Sequence, residues 1–198
     1  MQHRHFIIHK PYGYLSQFVY EQKRKKKLLG GLHDFPIGTM AIGRLDEDSE
    51  GLLLLTTNGK VSEQMRSKKV DKEYYVQVDG IITPEAIQKI KSGVEIGFDG
   101  KKYITKPCAA FIVETIPAFG ARGKKIRDER HGPTSWVSIT VNEGKFRQVR
   151  KMTAAVGFPT LRLVRVRIGN VQLNNLQAGE VIEVPEFYID SDKQTLVP

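Results

Sequence analysis

Four carboxylates stand close together in residues 43–51, whose sequence is GRLDEDSEG. Asp46, Glu47, Asp48 and Glu50 fall between two apolar segments, residues 40–43 and the LLLLTT of residues 52–57. Carboxylates at this spacing can bind a cation, take part in catalysis, or simply solvate a loop between two strands. We call residues 43–51 the carboxylate loop.

A calcium site is the first chemistry to test, because Asp46, Asp48, Glu50 and Gly51 match the first half of an EF-hand loop. The second half does not match, since the twelfth position is Thr57 instead of glutamate. The flanking segments also have the composition of strands, whereas an EF-hand loop lies between helices. The pattern therefore disfavours calcium and leaves catalysis or plain solvation.

A cation that could pair with these carboxylates is expected on a helix predicted over residues 145–156, which Gly157 and Pro159 would end. At about 100° per residue, its apolar face consists of Phe146, Val149, Met152, Thr153 and Val156. Arg147 and Lys151 then point away from this face, and Arg150 lies at its flank. Arg150 is thus the cation best placed to reach a half-buried carboxylate, although an ordinary surface role stays open.

Aromatic and histidine residues add further candidates. Tyr74 and Tyr75 begin a predicted strand, so they face opposite sides and only one can face a site; a plain core role is the alternative. His3, His5 and His9 are spaced to share one strand face, but no cysteine or carboxylate with ligand spacing accompanies them. The sequence therefore predicts no metal site.

The elements that must position these residues suggest an α+β fold. Short helices are predicted over residues 60–67 and 84–92, the latter with a Thr83 N-cap, a proline at the first helical position and Gly93 at its end. Strands are predicted at residues 6–9, 40–43, 52–57, 74–78, 102–116, 134–142, 160–168 and 181–184. Because no helical crossovers alternate with them regularly, we expect a mixed, mainly antiparallel sheet, with two lobes beside a basic cleft.

Composition narrows the classes of protein. The 198 residues fit one domain, here taken as residues 1–186 with a polar tail at 187–198. A lone Cys108 cannot form an internal disulfide, no leader opens the chain, and the longest apolar run, residues 52–55, is far below the roughly 20 needed to cross a bilayer. These features favour a cytoplasmic protein that does not enter a membrane.

The charge favours a polyanionic partner. Lysine and arginine number 31 against 22 acids, giving a net charge of +9 and a pI of about 9.6. Basic residues concentrate at 23–27, at 121–131 and at Arg162, Arg165 and Arg167. We expect exposed loops at residues 21–31 and 121–131, and phosphate contacts from all three patches, although solvated surface is the alternative.

Four segments resemble the ribosomal RNA pseudouridine synthases of the RsuA/RluB/RluE group, in the same order along the chain. They are HKPYG at residues 9–13, GRLDEDSEGLLLLTTNG at 43–59, Lys72-Glu73-Tyr74, and EGKFRQVRKMTAAVGFPTLRL at 143–163. The resemblance extends from about residue 5 to residue 185. Because the first motif begins at His9, no N-terminal S4 domain is expected.

The resemblance is strongest to the RluE-like branch, which modifies large-subunit ribosomal RNA. PTSW at residues 133–136 and VGFPTLRL at 156–163 support that branch. Two departures, Lys145-Phe146 in place of Arg-Asn and Thr57 in place of Asn, affect the expected substrate contacts.

The resemblance implies that Asp46 is the catalytic carboxylate, that Arg150 is its ion-pair partner, and that Tyr74 stacks on the target base. An isomerisation needs no electron or group carrier, so no cofactor is expected. Large-subunit ribosomal RNA is the expected partner of a monomer. The residues expected to bind RNA are Arg44, Lys10, Lys72, Arg147, Lys151, Arg162, Arg165, Lys124, Lys125 and Arg127. The rival hypotheses are a non-catalytic ribosomal RNA-binding or ribosome-assembly protein and, more weakly, a DNA-binding module, which lacks a recognisable DNA-binding motif.

Overall fold

A computed structural model describes residues 2–19, 25–67, 70–115, 118–127 and 129–187. Within them lie three α-helices: α1 (Gly59–Ser67), α2 (Pro84–Ser92) and α3 (Gln148–Ala155). The strands are β1 (His5–Lys10), β2 (Tyr14–Leu15), β3 (Lys27–Leu28), β4 (Met40–Ile42), β5 (Glu50–Thr56), β6 (Lys72–Asp79), β7 (Glu95–Phe98), β8 (Lys101–Ile104), β9 (Ala109–Val113), β10 (Thr134–Val141), β11 (Thr160–Ile168), β12 (Val171–Gln172) and β13 (Val181–Val184).

Nine of the described strands form one mixed sheet. Its main path runs β13-β1-β5-β11-β6-β10-β9, with β4 paired to β5 and β12 paired to β11. All of these pairings are antiparallel except the contact between β5 and β11. The predicted α+β class with a mainly antiparallel sheet is therefore confirmed.

The parallel contact between β5 and β11 joins the two halves of the sheet. Val164 lies opposite Glu50 and Arg165 lies opposite Gly51. A Cβ atom added to Gly51, whose φ is +105°, would lie 2.3 Å from the Arg165 carbonyl oxygen and 2.7 Å from its nitrogen. Only glycine allows the two backbones to come this close. The end of the carboxylate loop is thereby fixed against β11.

Apolar packing covers each half of the sheet separately. One cluster joins α2 and α3 to β6 and β10, with Ile90, Val137 and Met152 fully buried. On the other half, every residue of β5 is buried, because its leucines point alternately into two further clusters. None of the helices within the described residues has the length and apolar character needed to span a bilayer.

Most predicted elements have the predicted type. The helices at residues 60–67 and 84–92 are confirmed, and the Thr83 hydroxyl accepts a hydrogen bond from the Ala86 amide as an N-cap should. The strands at 160–168 and 181–184 have the predicted bounds. The strand predicted at 102–116 is wrong as one element: residues 105–108 separate β8 from β9, and β8 pairs with β7 in a hairpin.

The helix predicted from residue 145 begins three residues later, at Gln148. Arg147 precedes it with φ 53° and ψ 32°, a left-handed conformation that cannot belong to the helix. The prediction that Phe146 belongs to the buried apolar face is therefore wrong, since this residue is 66% exposed.

The two predicted basic loops are only partly open in the structure. Residues 20–24, which include Lys23, lie outside the described residues, and from Lys27 the chain forms β3 and a short 3₁₀ turn whose Leu29 is fully buried. In the second loop, Lys124 and Lys125 are exposed, as predicted. Most of the predicted tail, residues 188–198, also lies outside the described residues.

We predict that Gly51→Ala lowers the free energy of unfolding by about 2–5 kcal/mol, because a methyl group would overlap the Arg165 backbone at a positive φ. Gly59→Ala is the matched control, since Gly59 lies in a helix with nothing within 4 Å of an added Cβ. Urea unfolding measures both. Equal stability of Gly51→Ala and the unsubstituted protein would contradict the close approach.

Candidate active site

The carboxylate loop is held in place by hydrogen bonds to its backbone. The Leu45 amide donates to the Ser16 hydroxyl oxygen at 2.9 Å, and the same hydroxyl donates to the Leu45 carbonyl at 2.8 Å. The Gly13 amide donates to the Glu47 carbonyl at 2.8 Å. A tight turn follows, in which the Ser49 amide donates to the Asp46 carbonyl at 3.0 Å. The loop is therefore fixed by residues 13–16, which follow β1.

A large cleft of about 1190 Å³ opens over this loop and the junction of β5 with β11. Its lining includes Arg44, Asp46, Lys72, Tyr74, Phe146, Arg147, Arg150 and Arg165. These residues come from distant parts of the chain, and the fold brings them to one concave surface. The volume is slightly above the range of ordinary small-molecule sites, about 300–1,000 Å³, so a nucleotide with its neighbours is an occupant of suitable size.

Arg147 is the cation paired with Asp46. Its guanidinium lies 3.4 Å from the Asp46 carboxylate and makes two shorter hydrogen bonds, of 3.0 and 2.8 Å, to the two oxygens of Asp48. Hydrogen bonding to Asp48 raises the pKa of Arg147. Burial would raise the pKa of Asp48, but the Arg147 hydrogen bonds and the charge of Arg150 outweigh it and hold that pKa below its ordinary value.

The predicted ion pair between Asp46 and Arg150 is not the one that the structure shows. Arg150 donates from Nη2 to the Asp48 carbonyl at 2.8 Å and to the Ser49 hydroxyl at 3.3 Å, and its charge lies 3.4 Å from the Asp48 carboxylate. Burial lowers the pKa of Arg150, against the charge of Asp48. Helical angles do not apply to Arg147, because it precedes the helix in a left-handed conformation; its side chain contacts Asp46 and Asp48.

A second, buried ion pair lies at the end of the carboxylate loop. Glu50 is 1% exposed and receives two hydrogen bonds from Arg162, of 3.0 and 2.8 Å. Arg122 lies 3.5 Å from the same carboxylate, stacks over the Tyr12 ring, and donates to the Asp48 carbonyl. The expectation that Arg162 tracks phosphates on the surface is therefore wrong, because its guanidinium is buried in this bidentate pair.

Lys10 is also buried, which contradicts its expected contact with RNA. It has no exposed surface, and its ammonium group donates to the carbonyls of Pro11 and Tyr14 at 3.0 and 2.7 Å. Burial lowers the pKa of Lys10 to about 8, although the charges of Glu50 and the neighbouring aspartates oppose that shift.

Tyr74 and Tyr75 lie on opposite faces of β6, as predicted. Tyr74 lines the cleft and packs against the α2–α3 core, whereas Tyr75 makes an edge contact with Phe119, with ring centroids 6.0 Å apart. Arg165 lies opposite Tyr74 in the neighbouring strand and is only 3% exposed. Arg165 thus reaches the cleft but not the open surface predicted for it.

The other predicted cations occupy different surroundings. Arg44 is exposed at the cleft, and Lys151 donates to the Gly97 carbonyl at 2.7 Å beside the Phe146 ring. Arg127 is paired with Asp79, and Arg167 with Glu73 at 2.9 Å. The patch at Arg162, Arg165 and Arg167 is accordingly not a row of open phosphate contacts.

Sequence reasoning missed two residues. Asp48 is the centre of the cation network, and only its place two residues after Asp46 hinted at this. Phe146 is an exposed aromatic ring in the lining of the cleft, and helical periodicity assigned it to the core. Across the described residues, no group of three or more histidine, cysteine or acidic side chains is arranged to hold a metal ion.

Comparisons with known proteins agree with this geometry. A sequence model of the RNA pseudouridylate synthase family matches residues 4–155. The chain is similar to the ribosomal large subunit pseudouridine synthase E of Vibrio parahaemolyticus serotype O3:K6, with 40% identity over 189 residues, covering 93% of this chain and 75% of the relative.

A second similar protein and a solved structure point to the same family. The Xanthomonas axonopodis pv. citri protein of the same name is 40% identical over 172 residues, covering 86% of this chain and 88% of the relative. A crystal structure of a pseudouridylate synthase superposes with a TM-score of 0.70 at 26% identity, covering 92% of this chain and 70% of that one.

We predict that Arg147→Ala raises the pKa of the Asp48 carboxyl, because the hydrogen bonds that oppose its burial disappear. A carboxyl with a depressed pKa contributes stability that is present above its unfolded pKa and lost as the pH falls through its folded pKa. The variant should therefore lose that contribution. Carbon-13 NMR titration of the carboxyl groups measures the shift, with Arg4→Ala, whose partner is the distant Glu183, as control. An unshifted Asp48 titration would show that Arg147 does not hold this carboxylate.

Proposed function

Since the chain belongs to the RNA pseudouridylate synthase family, we propose that it isomerises one uridine of large-subunit ribosomal RNA to pseudouridine, with Asp46 as the catalytic carboxylate. The names of the similar proteins support the choice of large-subunit ribosomal RNA. We also propose that it acts as a monomer in the cytoplasm. No cofactor is included in the proposal, because the reaction rearranges one nucleoside with no net gain or loss of electrons.

The observation that carries the proposal is the position of Asp46. Its side chain is about one third exposed, lines the cleft, and has the Arg147 guanidinium at 3.4 Å. Tyr74 lines the same cleft and offers an aromatic face for a base that has left its stack. A carboxylate, a cation and an aromatic ring are therefore available around one nucleotide.

The contacts of the charged groups suggest a different role for each of them. Asp48 takes the two short hydrogen bonds of Arg147, and Arg150 holds the loop backbone, so both serve to position the loop. Asp46 has only the longer contact and stays open toward the cleft. It is thus the carboxylate free to act on the sugar or the base.

A non-catalytic RNA-binding protein accounts less well for these features. A surface that only binds RNA gains affinity from cations that reach phosphates. Here Asp46 lines the cleft, where its charge opposes a polyanion, and arginines are used to pair Asp46, Asp48 and Glu50. This arrangement is the reverse of what simple binding favours.

Exposed groups around the cleft are proposed to bind the RNA. Arg44 and Phe146 belong to the cleft lining, while Lys124 and Lys125 extend from an exposed loop. The net charge of +9 supports phosphate contacts from such cations. The exposed ring of Phe146 is suited to stack on a base next to the target uridine.

We predict that Asp46→Asn abolishes pseudouridine formation while RNA affinity and thermal stability stay nearly unchanged, because the substitution keeps the shape and removes only the reactive carboxylate. Single-turnover assays with unmodified large-subunit ribosomal RNA transcripts measure the rate. The control is Asp34→Asn, at an exposed aspartate outside the cleft lining, which should keep the full rate.

Retention of more than a few per cent of the unsubstituted rate by Asp46→Asn would refute the assignment of Asp46. Binding of the transcript without any conversion by the unsubstituted protein would instead favour the non-catalytic alternative.

We also predict that Phe146→Ala weakens RNA binding by about 1–3 kcal/mol, the usual value of one base–aromatic stack, whereas Phe146→Tyr binds normally. Phe111→Ala is the matched control, because Phe111 is an aromatic residue with 50% exposure outside the cleft lining. Fluorescence titration with RNA measures affinity. Equal affinities for the two alanine variants would show that Phe146 makes no stack.

A further inference from the structure

Two cations of the cleft have no described carboxylate partner. Arg165 and Lys72 both line the cleft, yet the ion pairs of the described residues include neither of them. The neighbouring arginines Arg147, Arg150 and Arg162 are all within 4 Å of an acid. The positive charge of Arg165 and Lys72 is thus left for something that enters the cleft.

Arg165 is rigid and incompletely hydrogen bonded. Its Nε donates to the Leu52 carbonyl at 2.8 Å, and its backbone is fixed by the close approach of Gly51. Its Nη2 is buried and has no hydrogen-bond partner among the described residues. A buried donor without a partner costs free energy in the empty protein, and an acceptor bound nearby would remove that cost.

Lys72 stands close to the same place. It lies two residues before Tyr74 on β6, hence on the same face, and its ammonium group donates to the Val70 carbonyl at 2.8 Å. Burial lowers the pKa of Lys72, and the charge of Arg165 lowers it further. Arg165 is the cross-strand neighbour of Tyr74. The two cations therefore both neighbour Tyr74, Lys72 along β6 and Arg165 across to β11.

We propose that Arg165, assisted by Lys72, binds the carbonyl oxygens of the target uracil and stabilises the negative charge that the base carries when its bond to the ribose breaks. This inference rests on the proposed function. It adds an electrostatic role for two residues on the sheet, separate from Asp46 on the carboxylate loop.

The chemistry requires such a group. When the bond from ribose C1′ to N1 breaks, the electron pair stays on the base and spreads over N1, O2 and O4. The base then rotates and C5 bonds to C1′, after which the proton on C5 is lost and N1 gains a proton. No oxidant or reductant takes part. Fixed donors in a closed site stabilise developing charge of this kind most effectively.

Burial favours the base over a phosphate as the ligand. Arg165 is 3% exposed and sits beside Tyr74, the ring proposed to contact the base, whereas the exposed cations are better placed for the RNA backbone. Phosphate binding by Arg165 makes a different prediction, namely a loss of affinity instead of rate.

The test compares Arg165→Gln with the unsubstituted protein on two transcripts of large-subunit ribosomal RNA, one containing uridine and one made with 5-fluorouridine. Fluorine makes the detached base a weaker base, so its departure needs less stabilisation. At saturating RNA, chromatography and mass spectrometry of digested RNA follow the gain of pseudouridine from uridine and the loss of N1-linked 5-fluorouridine. Loss of the N1-linked nucleoside is the measure for the fluorinated transcript, because its C5 carries no proton to lose and the rearranged base keeps the fluorine. Arg167→Gln is the matched control on the same strand, because Arg167 pairs with Glu73 outside the cleft lining.

We expect Arg165→Gln to slow conversion of uridine on the order of 100-fold and that of 5-fluorouridine by less than about tenfold, with RNA affinity unchanged. Equal slowing of both transcripts would overturn the proposal and indicate a structural role. Weaker binding with an unchanged saturated rate would overturn it in favour of a phosphate contact.

A second variant guards against misfolding. If Arg165→Gln does not fold, Lys72→Gln should show a smaller loss, about tenfold, with the same dependence on the leaving base. Absence of that dependence would overturn the proposal. Failure of the unsubstituted protein to convert either transcript would instead contradict the proposed function itself.

Discussion

The parallel contact between β5 and β11 is the constraint on which the rest of the structure depends. At Gly51 the two backbones come so close that no side chain fits between them. This contact joins the half of the sheet built on β1 and β5 to the half built on β6 and β10. The carboxylate loop leads into it from one side, and Arg165 and Tyr74 adjoin it from the other. The cleft exists because these two halves meet there.

Negative charges gather at this junction although the protein as a whole is positively charged. A chain with a net charge of +9 gathers Asp46, Asp48 and Glu50 at one place. Taking such charges out of water is costly, and a buried pair that loses one partner is destabilised by about 3–5 kcal/mol. The arginines therefore act first as structural counterions. Arg162 holds Glu50, Arg150 holds the loop backbone, and Arg147 holds Asp48, which leaves Asp46 facing the cleft with a cation beside it.

Local patterns in the sequence predicted much of the fold. The β-branched and alternating composition of residues 160–168 and the capping residues around Pro84 gave elements with the correct bounds, because these signals depend only on near neighbours. The site was harder to predict. The left-handed conformation of Arg147 has no signal in the neighbouring sequence, and with it Arg147, not Arg150, is the cation beside Asp46. Burial of Arg162 and Arg165 was equally invisible, because their partners Glu50 and Leu52 are 112 and 113 residues away. Lys10 bonds to the nearby Pro11 and Tyr14, and no local pattern predicts that it is buried.

The central claim is that this cleft makes one pseudouridine in large-subunit ribosomal RNA and that Asp46 performs the chemistry. Mapping pseudouridine along that RNA, from cells with and without the gene, tests the claim most directly. Loss of the gene should leave one uridine unmodified, and modification should return with the unsubstituted protein but not with Asp46→Asn. An unchanged map without the gene, or full modification by Asp46→Asn, would contradict it.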